Sequence, residues 1–168
     1  CEKDYMDTIL KTIPDLLAYS TSFHSPIAKF YNSLFHHELG LNLNEEKGFL
    51  QQYFQIITKH INGKDSLRNL GATFDQICTE HSSLRPLIIS ESIKLINALR
   101  ENLDHSLPGM HFFKEMEYVD DGPTTDEDIQ VLKTYSLLVS AITFIEGLLK
   151  NAHSQIEFIK QKGVSSIL

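Results

Sequence analysis

Apolar residues return at steps of three and four through almost the whole chain, as in Phe49, Leu50, Tyr53, Phe54, Ile57 and Ile61. No alternating apolar–polar run bounded by turn dipeptides interrupts them. A period near 3.6 gathers such positions on one face of a helix, whereas a half-buried strand needs a period of two. The chain is therefore expected to be all-α. With 168 residues, 42% of them hydrophobic and 22% charged, it can bury a sizeable core and is too apolar to stay disordered. A single unit over residues 1–168 is expected.

The pattern places helix boundaries where the punctuation residues fall. Met6, Ile9, Leu10, Ile13, Leu16 and Leu17 mark a first stripe, with Pro14 expected to end one short helix and open the next. Ser25 before Pro26 reads as a capping hydroxyl followed by a first-turn proline, and the helix after it carries Ile27, Phe30, Tyr31 and Leu34 to an end near Gly40. A third helix is expected from about Asn44, with Glu45 and Glu46 in its first turn and Asn62-Gly63 as its stop. A weaker helix spans Leu67 to about Glu80, interrupted by Gly71, and a strong one spans Leu87 to Leu103 with Ile89, Ile93, Ile96 and Leu99 on one stripe. Periodicity fails at 105–127, which reads as a loop. From about Asp128 to Lys150 the stripe is Leu138, Ala141, Ile142, Ile145, Leu148 and Leu149, and a last helix carries Ile156, Phe158 and Ile159. About seven helices joined by short loops suit either a bundle or a stacked helical repeat.

A weak repeat favours the second. Asn42 and Asn151 are each expected to end an apolar helix, and each is followed seven residues later by Phe and an aliphatic, Phe49-Leu50 and Phe158-Ile159, at an offset of 109 residues (151 minus 42). Asparagine tolerates the left-handed backbone that such a turn would use. Lys150 and Asn151 would then fold one repeat helix back on the next, Phe158 and Ile159 would lock the angle, and Gly163 would end the unit.

Three blocks carry a family resemblance: "LFHHELGLNLNEEKGFLQQYFQIITKHI", then "LGATFDQICTEHSSLRPLIISESIKLINALRENL", then "ITFIEGLLKNAHSQIEFIKQKGVSSIL". In that order they resemble the N-terminal armadillo-like region of the giant HECT-type ubiquitin ligases of the Mule and yeast Tom class, over roughly residues 34–103 and 128–168. The block order and the closing "FI..KG" phrase are the informative parts. Animal members carry a long acidic insertion between the second and third blocks, where this chain has only 105–127. The resemblance implies an armadillo- or HEAT-like α-solenoid. It implies a non-catalytic scaffold segment that helps present protein substrates for ubiquitination, within a parent whose catalytic cysteine lies in a HECT domain outside this segment. It also implies a nuclear and cytoplasmic setting. The rival readings are a generic helical-repeat adaptor or transport factor without a ubiquitin link, and a self-contained regulatory bundle.

Charge and cysteine usage bound the partners. A net charge of -7 and a pI near 5.6, with no cluster of Lys and Arg, argue against nucleic acid and favour basic protein clients. Cys1 and Cys78 form neither a disulfide framework nor a metal knuckle, which fits a reducing compartment. The most apolar window, "YSLLVSAITFIEGLL", is shorter than a membrane span and holds Glu146, and no basic-then-apolar leader precedes Tyr5, so neither a transmembrane helix nor a signal peptide is expected. The opening at Cys1 and the end at Leu168, directly after Ile167, read as a piece of a longer protein.

Nothing in the pattern announces chemistry. Cys78, beside Ile77 and Phe74, reads as a buried structural thiol rather than a nucleophile. The eight histidines raise the question of a metal, but "HHELG" lacks a second His one turn on, no Glu-x-x-His occurs, and His36 and His37 read as the polar end of a helix. His111 and Glu115 fall one helical turn apart, and His153 sits in a polar cluster at the Lys150–Asn151 hinge. "DDGPTTDED" reads as an acidic loop and helix cap, Thr125 with Asp128 making a capping box, although a phosphate on Thr124 or Thr125 would also be stabilised there. No catalytic residue, metal ligand or cofactor is expected.

Overall fold

A computed structural model of the chain describes residues 2–60, 67, 69–106 and 126–167. The helical period is realised throughout these: α1 Glu2–Tyr19, α2 His24–Phe35, α3 Glu38–Lys47, α4 Phe49–Lys59, α5 Leu70–Glu80, α6 Arg85–Ser106, α7 Asp126–Leu148, α8 Ala152–Lys160 and α9 Val164–Ile167, with 3-10 turns at Thr21–Phe23 and Ser82–Leu84. The expected seven helices are nine among the described residues, and no strand occurs among them.

Several expected boundaries move, each for a local reason. α1 runs unbroken through Pro14. Leu10, Ile13 and Leu17 stay on one buried face across the proline, so their burial offsets the backbone bond it removes. The start signal belongs to Ser20, whose hydroxyl accepts from Ser22 N–H at 3.2 Å and caps the 3-10 turn that leads into α2; Ser25 and Pro26 lie in the first turn of α2.

α2 ends at Phe35, and Gly40 lies inside α3, where a Cβ would stand 2.2 Å from the Leu34 carbonyl oxygen. Glu45 and Glu46 close α3 rather than open α4. The break is Gly48, left-handed at φ 63°. Gly48 has no side chain to cap α4, and Asn44 does so from α3, its Oδ1 accepting Leu50 N–H at 3.0 Å.

The repeat reading is corrected at the same place. Asn42 is an exposed residue in the middle of α3, and Asn151 is extended (φ -90°, ψ 137°), so neither asparagine supplies a left-handed turn. Phe49, Leu50 and Phe158 are buried as expected, but Ile159 is 64% exposed and Ile156 62%, so neither locks an angle. α8 is closed by a left-handed Lys162 (φ 62°), with Gly163 N–H donating to the Phe158 carbonyl at 2.8 Å and Lys162 N–H to Ile159 at 3.0 Å. Gly163 is small for another reason: the Phe158 ring lies on it, 2.5 Å from where a Cβ would be.

The helices pack in two rows. α1 lies on α4, α4 on α6, and α6 on α8 and α9; α2 lies on α5 and α5 on α7. Contacts of α6 with α5 and α7, and of α5 with α8, join the rows, while α3 bridges α2 and α4. A chain of rings crosses the interior: Tyr31 to Phe49 at 4.9 Å, Tyr31 to Tyr53 at 5.6 Å, Phe54 to Phe74 at 4.6 Å and Phe74 to Phe144 at 6.3 Å between centroids. Gly71 does not interrupt α5. It meets Gly147 of α7 at a close crossing, where a Cβ on Gly71 would stand 2.0 Å from the Phe144 oxygen and one on Gly147 would stand 2.7 Å from the Ala72 nitrogen.

That crossing orients α7. Leu137, Ala141, Phe144 and Leu148 turn inward, whereas Leu138 and Ile142, expected in the core, are 37% and 55% exposed. α7 is apolar around its circumference, so periodicity alone selects no face.

Candidate functional site

Two helix ends meet where α2 packs on α5. His36 is the C-terminal cap of α2 and His81 that of α5, its N–H donating to the Ile77 carbonyl at 2.8 Å. The negative ends of two helix dipoles thus lie side by side. His36 Nε2 approaches Glu80 Oε2 at 3.3 Å, and the His36 and His81 rings stand edge to face with centroids 4.9 Å apart. One ring nitrogen from each histidine and one Glu80 oxygen all lie within 4.8 Å of one another.

The neighbours orient these groups. Gln76, one turn back on α5, donates its Nε2 to Glu80 Oε1 at 2.9 Å, which leaves Oε2 facing His36. That bond, followed by Asn32 and the two imidazoles, holds the Glu80 carboxyl below its usual range. His81 is half-buried, with the Phe35 ring edge-on at 6.0 Å. Burial, followed by the nearby His36, pushes its imidazole below the usual range, so it is neutral at neutral pH. Its Nε2 is sealed from solvent and has no hydrogen-bond partner among the described residues.

A second polar cluster sits at the junction of α7 and α8, which meet at a bend of 113°. Asn151 Oδ1 caps α8 by accepting His153 N–H at 2.8 Å. From α5, the buried Asp75 Oδ1 accepts the Ser154 hydroxyl at 2.6 Å and Asn151 N–H at 3.3 Å. The hinge is therefore latched by a carboxylate from the middle of the chain. His153 contributes a backbone N–H, and its side chain faces solvent.

Cys78, one turn beyond Asp75, is fully buried, and burial, with Asp75 adding to it, pushes its thiol up to about 12. Such a thiol is protonated at neutral pH and is no nucleophile. Arg85 turns back to donate to the Cys78 carbonyl at 2.9 Å.

Cys1, His111, Glu115, Thr124 and Thr125 lie outside the described residues. His37 is exposed at the start of α3 and takes no part in the His36 cluster. An open cleft of about 530 Å³ between α3, α4 and the start of α6 is lined by Leu41, Asn44, Glu45, Gln51, Ser83, Leu84 and Leu87, with Glu45 the one ionisable group among the described residues that line it. No single helix among the described residues is long and apolar enough to cross a membrane. The outward face of α7 shows Leu132, Tyr135, Val139 and Ile142, spaced 3, 4 and 3 residues apart and between 38% and 66% exposed. That spacing forms one continuous apolar stripe.

The His36, Glu80 and His81 group has no one-turn ligand spacing within a helix to reveal it, because its members come from the ends of two helices. The adjacent pair Glu80-His81 just before "SSLRP" was the only trace of it in the sequence. No protein-family model, curated protein or solved structure matches the chain.

Proposed function

We propose that the chain is an armadillo- or HEAT-like α-solenoid segment, a non-catalytic scaffold that presents protein substrates within a HECT-type ubiquitin ligase acting in the nucleus and cytoplasm. The observation that carries the scaffold reading is the alternation of successive helices between two rows: α1, α4, α6 and α8 in one, α2, α5 and α7 in the other. A chain folded this way grows by adding layers rather than by closing a bundle, and its ends keep apolar faces for the next layer or a partner. The stripe Leu132, Tyr135, Val139 and Ile142 on the last helix of the second row is such a face. The ubiquitin link rests on the resemblance of the three sequence blocks to the ligase arms, and the net charge of -7 favours basic clients.

The test uses the full-length parent protein. Leu132→Glu with Ile142→Glu leaves ubiquitin loading on the HECT cysteine unchanged and lowers transfer to protein substrates about tenfold or more, the scale of losing a buried apolar anchor. Loss of loading itself would overturn the non-catalytic reading. A complete reading frame with no HECT domain and cysteine would overturn the ubiquitin link, and would favour the helical-repeat adaptor.

A further inference from the structure

We propose that His36, Glu80 and His81 form a binding site for a divalent transition metal of the zinc class, which ties the C-terminal end of α2 to that of α5. The inference stands apart from the ligase reading and rests on this corner of the fold alone.

The donor set selects the ion. Two imidazole nitrogens and one carboxylate oxygen suit Zn²⁺, Co²⁺, Ni²⁺ or Cu²⁺, whereas Ca²⁺ and Mg²⁺ demand shells of six or more oxygens. Tetrahedral coordination at about 2.0 to 2.1 Å from each ligand sets ligand atoms about 3.3 to 3.4 Å apart. The His36 and Glu80 atoms already stand 3.3 Å apart, and all three donors lie within 4.8 Å of one another. The remaining closure is toward His81, and the His36 and Glu80 side chains, 53% and 32% exposed, have room to turn toward it.

The surroundings are arranged as a ligand's supporting contacts are. Gln76 fixes Glu80 through Oε1 and leaves Oε2 for the ion, while Phe35 holds the His81 ring edge-on. A second observation is that Nε2 of His81 is buried with no hydrogen-bond partner among the described residues, whereas buried polar atoms are nearly always satisfied. The capping positions of His36 and His81 put the carbonyl ends of both helices nearby, where positive charge is favoured. Three protein ligands leave a fourth position for water on the exposed side.

Adding Zn²⁺ or Co²⁺ alone to the untagged chain, carrying Cys1→Ser to remove the unrelated terminal thiol, tests the site. Calorimetry is expected to show one ion per chain, Co²⁺ to give tetrahedral visible bands, and Zn²⁺ to raise the melting midpoint. His36→Gln and Glu80→Gln, both at exposed positions, should weaken binding about a hundredfold, and Gln76→Ala about tenfold, without changing the melt in chelator. His37→Gln and His153→Gln should leave affinity unchanged. The proposal is overturned if no saturable binding occurs, or if binding survives His36→Gln and Glu80→Gln. It is equally overturned if His37→Gln abolishes binding as fully as His36→Gln does.

Discussion

Phe158 and Gly163 make a quantitative test of how the end of the chain is packed. Phe158 is 2% exposed, and its ring lies over Gly163, three ring carbons falling within 2.6 Å of the place a Cβ would take. Phe158→Ala removes a buried aromatic and is expected to cost about 3 to 5 kcal/mol. At about 2 to 4 °C per kcal/mol for a chain of this size, the midpoint should fall by roughly 6 to 20 °C.

Gly163→Ala in the wild-type background forces the new methyl into the ring and should cost about 1 to 3 kcal/mol. In the Phe158→Ala background the ring is gone. Gly163 does not have a positive φ, so the alanine there carries no backbone strain and should be neutral or stabilising by about 0.4 to 1 kcal/mol. The double mutant should therefore be more stable than the sum of the singles by at least about 1.5 kcal/mol. Urea unfolding of the four proteins at a common temperature reads this coupling from midpoints and slopes. Additivity within about 0.5 kcal/mol would refute the reasoning, since it would mean that the ring does not rest on Gly163.

Three more outcomes follow from other contacts. Asp75→Ala leaves the 1%-exposed Ser154 hydroxyl without its acceptor and should destabilise by about 2 to 3 kcal/mol, whereas Ser154→Ala in the Asp75→Ala background should cost almost nothing further in urea melts. Gly71→Ala drives a methyl to 2.0 Å from the Phe144 oxygen and must part α5 from α7; a loss below about 1 kcal/mol would contradict the crossing. His24 is 1% exposed, and burial holds its imidazole below the usual 6.5, with His60 adding to this and the Leu17 carbonyl, which accepts its Nε2–H, opposing it. The unfolded chain therefore binds the proton more readily, so the stability from a neutral His24 is complete above pH 6.5 and is lost as the pH falls below it. His24→Gln should flatten that part of the stability-against-pH curve, and an unchanged slope would exclude His24 as its source.

Helical character was legible in the residues, because a spacing of three and four can bury one face only on a helix. The interior aromatics Tyr31, Phe49, Tyr53, Phe54 and Phe158 and the inert Cys78 followed from the same periodicity. The punctuation was less reliable. Pro14 and Gly71 read as breaks, yet packing on both sides of the proline and the need for a close crossing at the glycine keep α1 and α5 whole. The candidate site was the least legible part, since two whole helices, α3 and α4, separate His36 from Glu80 and His81, and it has no periodic relation to them.

What this sequence determined by itself was therefore local: which segments become helices, and in most of them which face is apolar. Two short-range properties, backbone propensity and the angular period of side chains, decide both. Only the tertiary structure decided which faces meet. The exposed side of an all-round apolar α7 is settled by the Gly71–Gly147 crossing, the hinge at Asn151 is held by Asp75 from across the fold, and His36 reaches Glu80 because α2 lies on α5. Each depends on residues far apart in the chain, whose proximity is a property of packing and leaves no period for a linear reading to detect.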